Sequence, residues 1–438
     1  MRNWFSRIAV ATLLAAMTLT AVGAAAAELE AKAEDGILVF ESDDSAFKWW
    51  VDARVYIDAA AYFDDGDLYW NEDELDEDDW ADYEDEFGDF MVHDALGGGM
   101  LLRRARFALK SQLWHHWYGE IDLDFAEEAV AVKDAYISYR GLFNGNGRVR
   151  VGNFRQPFGL EEVTTSRNLM FMERSQGTEP FVVGRRMGLE VTRWDANWRV
   201  SVSAFGDDVE DYVKYANEQV NFAGRVNFTP INNENGVLLL GASGTMQKPN
   251  FDGGDYSVKV NSRPETNVSD TKFVYSKYKD VDKYNVFGAE FAYTNKRLML
   301  QGEYMMAKYK FLDPDSDPDV SNSGGYIFAS YFLTDDSRKY DHKDAEFGRV
   351  VPSSKSGAWE VAARFSTVDL NDEDGDDLIA DGGKSDSITL GVNYYPNANV
   401  KLMLNYGIVN NDENADGRGD YRGDYDFNYL SMRFQTAF

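Results

Sequence analysis

Apolar and polar residues take turns along most of this chain. The C-terminal segment shows it most plainly: Leu430, Met432, Phe434, Thr436 and Phe438 alternate with Tyr429, Ser431, Arg433, Gln435 and Ala437. A period of two is that of a β-strand, which can offer one face to lipid and the other to water. The same rhythm sets Trp49, Val51, Ala53, Val55 and Ile57 against Trp50, Asp52, Arg54, Tyr56 and Asp58. It returns in 100–111, 117–125, 133–141, 187–192 and 198–204, and continues in segments down to Phe438. Together these segments predict an all-β fold: a transmembrane antiparallel β-barrel of about sixteen strands over 47–438, the even number typical of bacterial barrels. Such a barrel is invisible to a hydropathy plot because its two faces alternate, and the mean hydropathy here is -0.47.

Strand parity sorts the links. The short ones, 195–197, 230–236, 295–296 and 396–399, fall at one rim, and the long charged ones at the other, the pattern of periplasmic turns and extracellular loops. The link 335–356 is long yet belongs by parity with the short turns. Either that turn is unusually long or a strand is miscounted there. The segment 248–283 reads as a long polar loop, and 156–184, with Pro157 and Pro180 and no sustained period, interrupts the strands. Between Asp64 and Asp94 stand sixteen Asp and Glu and no Lys or Arg. So dense a block reads as a solvated extracellular loop, 64–99, and it carries about half of the formal net charge of -31.

The front of the chain gives the destination. Arg2 and Arg7 flank the start of an apolar run, 8–22, followed by Gly23, Ala24, Ala25, Ala26 and Ala27. This is the layout of a signal peptide, 1–27, cut near Ala27/Glu28; the run is shorter than the roughly 20 residues of a spanning helix. A polar periplasmic lead-in, 28–46, follows, and the bacterial outer membrane is the expected location. Aromatics make up 14% of the residues, which suits girdles at two membrane interfaces. Without cysteine, a disulfide framework or thiolate metal site is excluded.

The faces assigned to water are rich in cations: Arg54, Arg104, Arg106, Lys110, Arg148, Arg150, Arg186, Arg199, Arg225, Arg364 and Arg433. Guanidinium is permanently charged and its fork matches oxyanions, so a lumen lined this way would favour anions. In the competing reading these cations pair with Asp52, Asp58, Glu120, Asp122, Asp124 and Asp134. The result is then a non-selective or cation-tolerant general porin. A third reading makes the barrel an adhesin acting through its acidic loops. Catalysis has little to stand on. The four histidines, His93, His115, His116 and His342, have no nucleophile or carboxylate at a recognisable spacing, and no Gly-rich phosphate loop joins a strand to a helix. No catalytic residue, cofactor or nucleic-acid partner is expected. Asp412, Asn414, Asp416 and Gly417 open like a calcium loop, but the twelfth position is Gly423, so no metal ligand is assigned.

Several motifs follow in order: Arg103-Arg104-Ala105-Arg106, Lys133-Asp134-Ala135-Tyr136, and Val151-Gly152-Asn153-Phe154-Arg155-Gln156-Pro157-Phe158-Gly159-Leu160-Glu161. After them come Thr165-Ser166, Phe171-Met172-Glu173-Arg174, Gly357-Ala358-Trp359-Glu360 and Leu390-Gly391-Val392-Asn393-Tyr394-Tyr395. The set resembles the phosphate-selective porin O and P family over roughly 49–438. The resemblance implies a homotrimer of sixteen-stranded barrels whose third loop folds into the lumen, where arginines and a lysine cluster guide the anion. It implies that 156–184 is that constriction loop, with Arg167 and Arg174 as its cations. It also implies that Arg104, Arg106, Lys110, Arg148 and Arg150 belong to the lining. The expected function is passive diffusion of small hydrophilic solutes, above all anions such as phosphate, across outer-membrane lipid. The acidity of 64–99 pulls the other way, repelling anions from the mouth over a screening length of about 8–10 Å.

Overall fold

The computed structural model describes residues 29–34, 37–64, 96–126, 129–209, 219–250, 256–314, 318–374, 377–419, 421 and 423–438. The expected signal peptide, 1–27, and most of the expected acidic loop, 64–99, lie outside them. Sixteen strands build the barrel. The first eight are β1 (Phe47–Asp64), β2 (Gly99–Leu113), β3 (Trp117–Asp124), β4 (Ala131–Leu142), β5 (Gly147–Arg155), β6 (Arg185–Asp195), β7 (Trp198–Phe205) and β8 (Asn221–Asn233). The second eight are β9 (Gly236–Gln247), β10 (Val281–Asn295), β11 (Leu298–Phe311), β12 (Val320–Phe332), β13 (Ala358–Asp374), β14 (Asp377–Tyr395), β15 (Val400–Asn411) and β16 (Phe427–Ala437).

Each strand pairs antiparallel with the next, and β16 pairs with β1, from Ala437 opposite Arg54 to Phe427 opposite Asp64. Phe438 completes the seam, its N–H donating to the Ala53 carbonyl at 2.9 Å. Closure leaves no unpaired edge, which the hydrocarbon core of a membrane requires.

The alternation decides the faces. On β16, Leu430, Met432 and Phe434 are exposed while Tyr429, Ser431 and Arg433 are buried. The same holds around the wall, where Phe107, Ile137, Val151, Leu189, Val202, Leu240, Ile327, Phe365 and Leu404 face outward. Burial is therefore inverted relative to a water-soluble fold. An apolar belt surrounds a polar interior, in which Arg364 and Arg433 are each 1% exposed. Near the short-turn rim, aromatic pairs such as Trp359 on Tyr394 (4.4 Å between ring centres) and Trp117 on Tyr139 (5.1 Å) supply interfacial anchors.

Two links differ from their sequence reading, and a third resolves an alternative left open. β8 continues through Pro230 to Asn233 by means of a bulge between Phe228 and Ile231, so the turn there is shorter than 230–236. The loop 248–283 contains a hairpin, Val258–Ser262 with Val274–Tyr278. Its Val260, Val274 and Tyr278 join Tyr309, Tyr425 and Phe427 in an apolar cluster inside the long-loop half. The link between β12 and β13 is long and does lie with the short turns, so the strand count stands. It carries a small hairpin, Tyr340–Asp341 with Glu346–Phe347, and Phe347 is buried among Leu160, Met170 and Phe328. The lead-in, too, is ordered: Leu29–Glu34 and Ile37–Ser42 form a hairpin that joins the start of β1.

Candidate functional site

The segment 156–184 crosses the interior and is fastened on every side. Gly159 takes φ +70°, a left-handed conformation that suits glycine, and a single helical turn, Leu160–Val163, follows it. Glu303 of β11 receives the first N–H groups of that turn, from Leu160 at 2.7 Å and Glu161 at 2.6 Å, which no intrahelical carbonyl can satisfy. Glu161 in turn pairs with Arg364 of β13 at 3.2 Å. Glu173 accepts from Arg103 of β2 at 2.8 Å and from Arg433 of β16 at 2.5 Å. Arg167 pairs with Asp52 of β1. Gly177 lies so close to β12 that a Cβ there would fall on the Gly325 carbonyl.

A second segment, 333–357, enters from the short-turn rim and meets the first. Arg338 is held by Glu360 (2.8 Å) and the Tyr395 hydroxyl (2.8 Å), and donates to the Asn168 carbonyl at 3.0 Å. The Thr165 N–H donates to Glu346 at 2.9 Å, and Asn168 Nδ2 to the Phe347 carbonyl at 3.1 Å. Arg199 of β7 donates to the Lys343 carbonyl at 3.0 Å and Arg225 of β8 to the Ala345 carbonyl at 3.2 Å.

Between these segments and the wall from β1 to β8 lies an open, water-accessible cavity. Ten cations line it: Arg54, Lys110, Arg140, Arg148, Arg150, Arg155, Arg167, Arg185, Arg199 and Arg225. Among the described residues five carboxylates do, namely Glu120, Asp134, Glu190, Asp344 and Glu346, while Asp52, Glu162 and Glu290 pair with lining cations from behind. Pairing is uneven. Lys110 bridges Asp52 (3.3 Å) and Glu120 (3.0 Å), Arg150 reaches Glu190 (2.8 Å), Arg185 reaches Asp134 (2.7 Å) and Arg225 reaches Glu290 (2.7 Å). Among the described residues, Arg140 and Arg199 have no carboxylate within 4 Å. Arg140 instead lies 3.8 Å above the Tyr118 ring, and Arg199 keeps Nη1 unpartnered. Burial and the nearby Asp344 charge push the Glu346 carboxyl up to about 7, against the pull of the Thr165 N–H, Arg167 and Arg155.

Of the residues singled out by sequence, the structure gathers Arg54, Lys110, Arg148, Arg150, Arg167, Arg199 and Arg225 into this cavity. Others go elsewhere. Arg104 is buried beside the Tyr56 ring, Arg106 is tied to Asp124 at 2.7 Å, and Arg174 folds back onto Glu162 and the carbonyls of its own segment. Arg364 and Arg433 clamp 156–184 to the wall. Arg186 faces Asp208 at 3.8 Å, and its neighbour Arg185 takes the lining position because the alternation of β6 begins only after it. Arg140, Arg155, Asp344 and Glu346 also line the cavity, outside the set that the sequence marks. The first lies on a readable face and the second in a quoted motif, whereas the two acids sit in a link without local signal.

Metal binding finds little room here. Glu120, Asp122 and Asp134 can bring one oxygen each within 4.8 Å of one another, but Lys110, Arg54, Arg106 and Arg185 surround them. In the calcium-like loop, Asp412 is already engaged by the Lys384 N–H (2.8 Å) and Asn371 (2.7 Å).

Similarity to known proteins agrees with this geometry. The chain is 27% identical to Porin O of Pseudomonas aeruginosa over 382 residues, covering 77% of this chain and 84% of that one. It is 26% identical to an uncharacterized protein of Caulobacter vibrioides over 335 residues, 73% of this chain, and spans 64% of that relative's length. Among solved structures, the fold matches the trimer form of OmpT from Vibrio cholerae (TM-score 0.53, 9% identity, 90% and 100% of the two chains). It also matches an anion-selective porin from Comamonas acidovorans (TM-score 0.51, 14% identity, 90% and 100%). The family model described as phosphate-selective porin O and P matches residues 80–438, and the chain therefore belongs to that family of the bacterial outer membrane.

Proposed function

We propose that this outer-membrane porin passes small hydrophilic anions, inorganic phosphate among them, by passive diffusion. The observation that carries the reading is the lining itself: ten cations against five carboxylates, with Arg140 and Arg199 left without an acidic partner within 4 Å among the described residues. An anion entering a narrow lumen must shed water, and guanidinium N–H groups replace part of that shell with charge-assisted hydrogen bonds. A cation meets the same groups as a barrier. In this reading 156–184 acts as the constriction, braced from below by 333–357, and 64–99 stands as an acidic loop outside. The segment 1–27 directs export, and 28–46 stays on the periplasmic side. Three copies assemble, as in the trimer form of the Vibrio cholerae protein of like fold. The protein acts as a channel, with no turnover of its solute.

Purified protein in a planar bilayer tests this. Chloride conductance should appear in stepwise insertions and fall in a saturable way as phosphate is added. Conductance indifferent to phosphate would support a general porin instead. Adhesion to a surface with no conductance at all would support the adhesin.

A further inference from the structure

The tip of the link 333–357 places a negative charge inside the cationic cavity. Asp344 pairs with Arg148 of β5 from a side chain that is 43% exposed, and what it is exposed to is the cavity it lines. Its position is fixed by backbone rather than by the ion pair alone. The carbonyls on either side, of Lys343 and Ala345, each accept from a wall arginine, Arg199 at 3.0 Å and Arg225 at 3.2 Å. The N–H groups of Lys343 and Asp344 turn back to Asp341 Oδ1 at 2.8 and 3.3 Å. Burial opposes the Asp344 charge, but the guanidiniums of Arg148, Arg140 and Arg199 outweigh it and hold the carboxyl well below its ordinary range. Asp344 is thus a fixed anion at neutral pH. Beside it, Arg199 and Arg225 each keep Nη1 without a partner, although both side chains are almost wholly buried.

A carboxylate and a phosphate offer the same pair of oxygens to a guanidinium fork. We infer that Asp344 is a specificity-determining residue, a tethered competitor whose side chain occupies Arg148 between solutes and gives way when a free anion reaches that guanidinium from the cavity. Conduction requires that an ion bind well enough to enter and weakly enough to leave. A lining with ten cations risks the second condition, and a built-in anion restores it by shortening each stay. The inference rests on the anion pathway proposed above and adds the residue that sets its affinity.

The test uses the full-length protein in planar bilayers, with Asp344→Asn, Asp344→Ser and Asp344→Glu compared with the parent. Two quantities are read: the phosphate concentration that halves chloride conductance, and the zero-current potential in a salt gradient. Removing the charge should lower the half-blocking concentration roughly two- to fivefold, the size of one solvent-screened ion pair, and raise anion preference. Asp344→Glu should stay close to the parent. Unchanged values in a variant that still migrates as a folded barrel overturn the inference. So does a general rise in conductance with a larger exclusion limit for neutral polymers and no change in ion preference, since Asp344 would then be a prop for the link. Asp344→Ser keeps a turn-forming side chain, and it decides the matter if the Asn variant does not fold. A parent protein without anion preference would fail the proposed function itself, whereas an anion-preferring parent with indifferent variants fails only this inference.

Discussion

Arg433 is 1% exposed and gripped by Asp58 at 2.6 Å and Glu173 at 2.5 Å, and its charge is spent on holding β16, β1 and the inward segment together. Breaking such a buried pair from one side costs about 3–5 kcal/mol, because the remaining carboxylates are left without a cation. Arg199 is the opposite case. It also lies deep in the wall, but it donates to the Lys343 carbonyl, and no carboxylate lies within 4 Å among the described residues. Its charge therefore reaches the cavity with less compensation than that of Arg150, which Glu190 meets at 2.8 Å. Arg199→Ala should accordingly lower the anion-to-cation permeability ratio severalfold, and Arg150→Ala by less, in zero-current potentials measured under one salt gradient. Equal losses would show that pairing does not decide which arginines act on the solute.

Glu346 gives the residue scale a pH dependence. Its carboxyl titrates near 7, with Asp344, Arg155, Arg167 and the Thr165 N–H around it. Below that value it is neutral and the cavity loses one negative charge; above it the charge is present. Anion preference should therefore rise as the pH is taken from 8 to 6, and Glu346→Gln should hold the high-preference state across the range. A profile that is flat in the parent protein would contradict the assignment.

At the scale of elements, two inward segments and one half of the wall make the cavity, and their rigidity comes from contacts with many strands at once. Gly177 is where 156–184 touches β12 backbone to backbone, against Gly325 and the Thr367 carbonyl. A methyl group cannot fit without moving one of them. Gly177→Ala should loosen the segment, seen as larger and noisier single-channel steps and weaker phosphate block, with the barrel still folded. A variant with unchanged conductance would place the narrow point elsewhere. Elements are also where the sequence was most and least legible. Each strand could be read because solvent of opposite kind on its two faces writes itself into alternate residues, as in Leu430 to Phe438. The links could not, because what a side chain in a link meets depends on where the link travels. Asp344 has no periodic neighbours to mark it, and it meets Arg148 from 196 positions away. Arg433 alternates as clearly as any lining residue, yet its partner Glu173 lies 260 positions earlier, so sequence could not tell a clamp from a pathway. The hairpin within 248–283 leaves no such mark, because its strands are five residues long and set among lysines and aspartates.

Across the whole molecule, charge is segregated. The chain carries a formal net charge of -31 and sixteen of its acids crowd between Asp64 and Asp94, yet among the described residues lining the cavity ten cations face five carboxylates. A long-range field from the acidic residues between Asp64 and Asp94 would be screened within about 8 Å at physiological salt, whereas the lining acts at contact distance in a narrow, poorly screened space. The near field should therefore decide the sign of selectivity. The zero-current potential of purified protein across a bilayer, with potassium chloride more concentrated on one side, measures that sign directly. A potential lying toward the chloride equilibrium value is the predicted result, and one lying toward the potassium value would contradict the account.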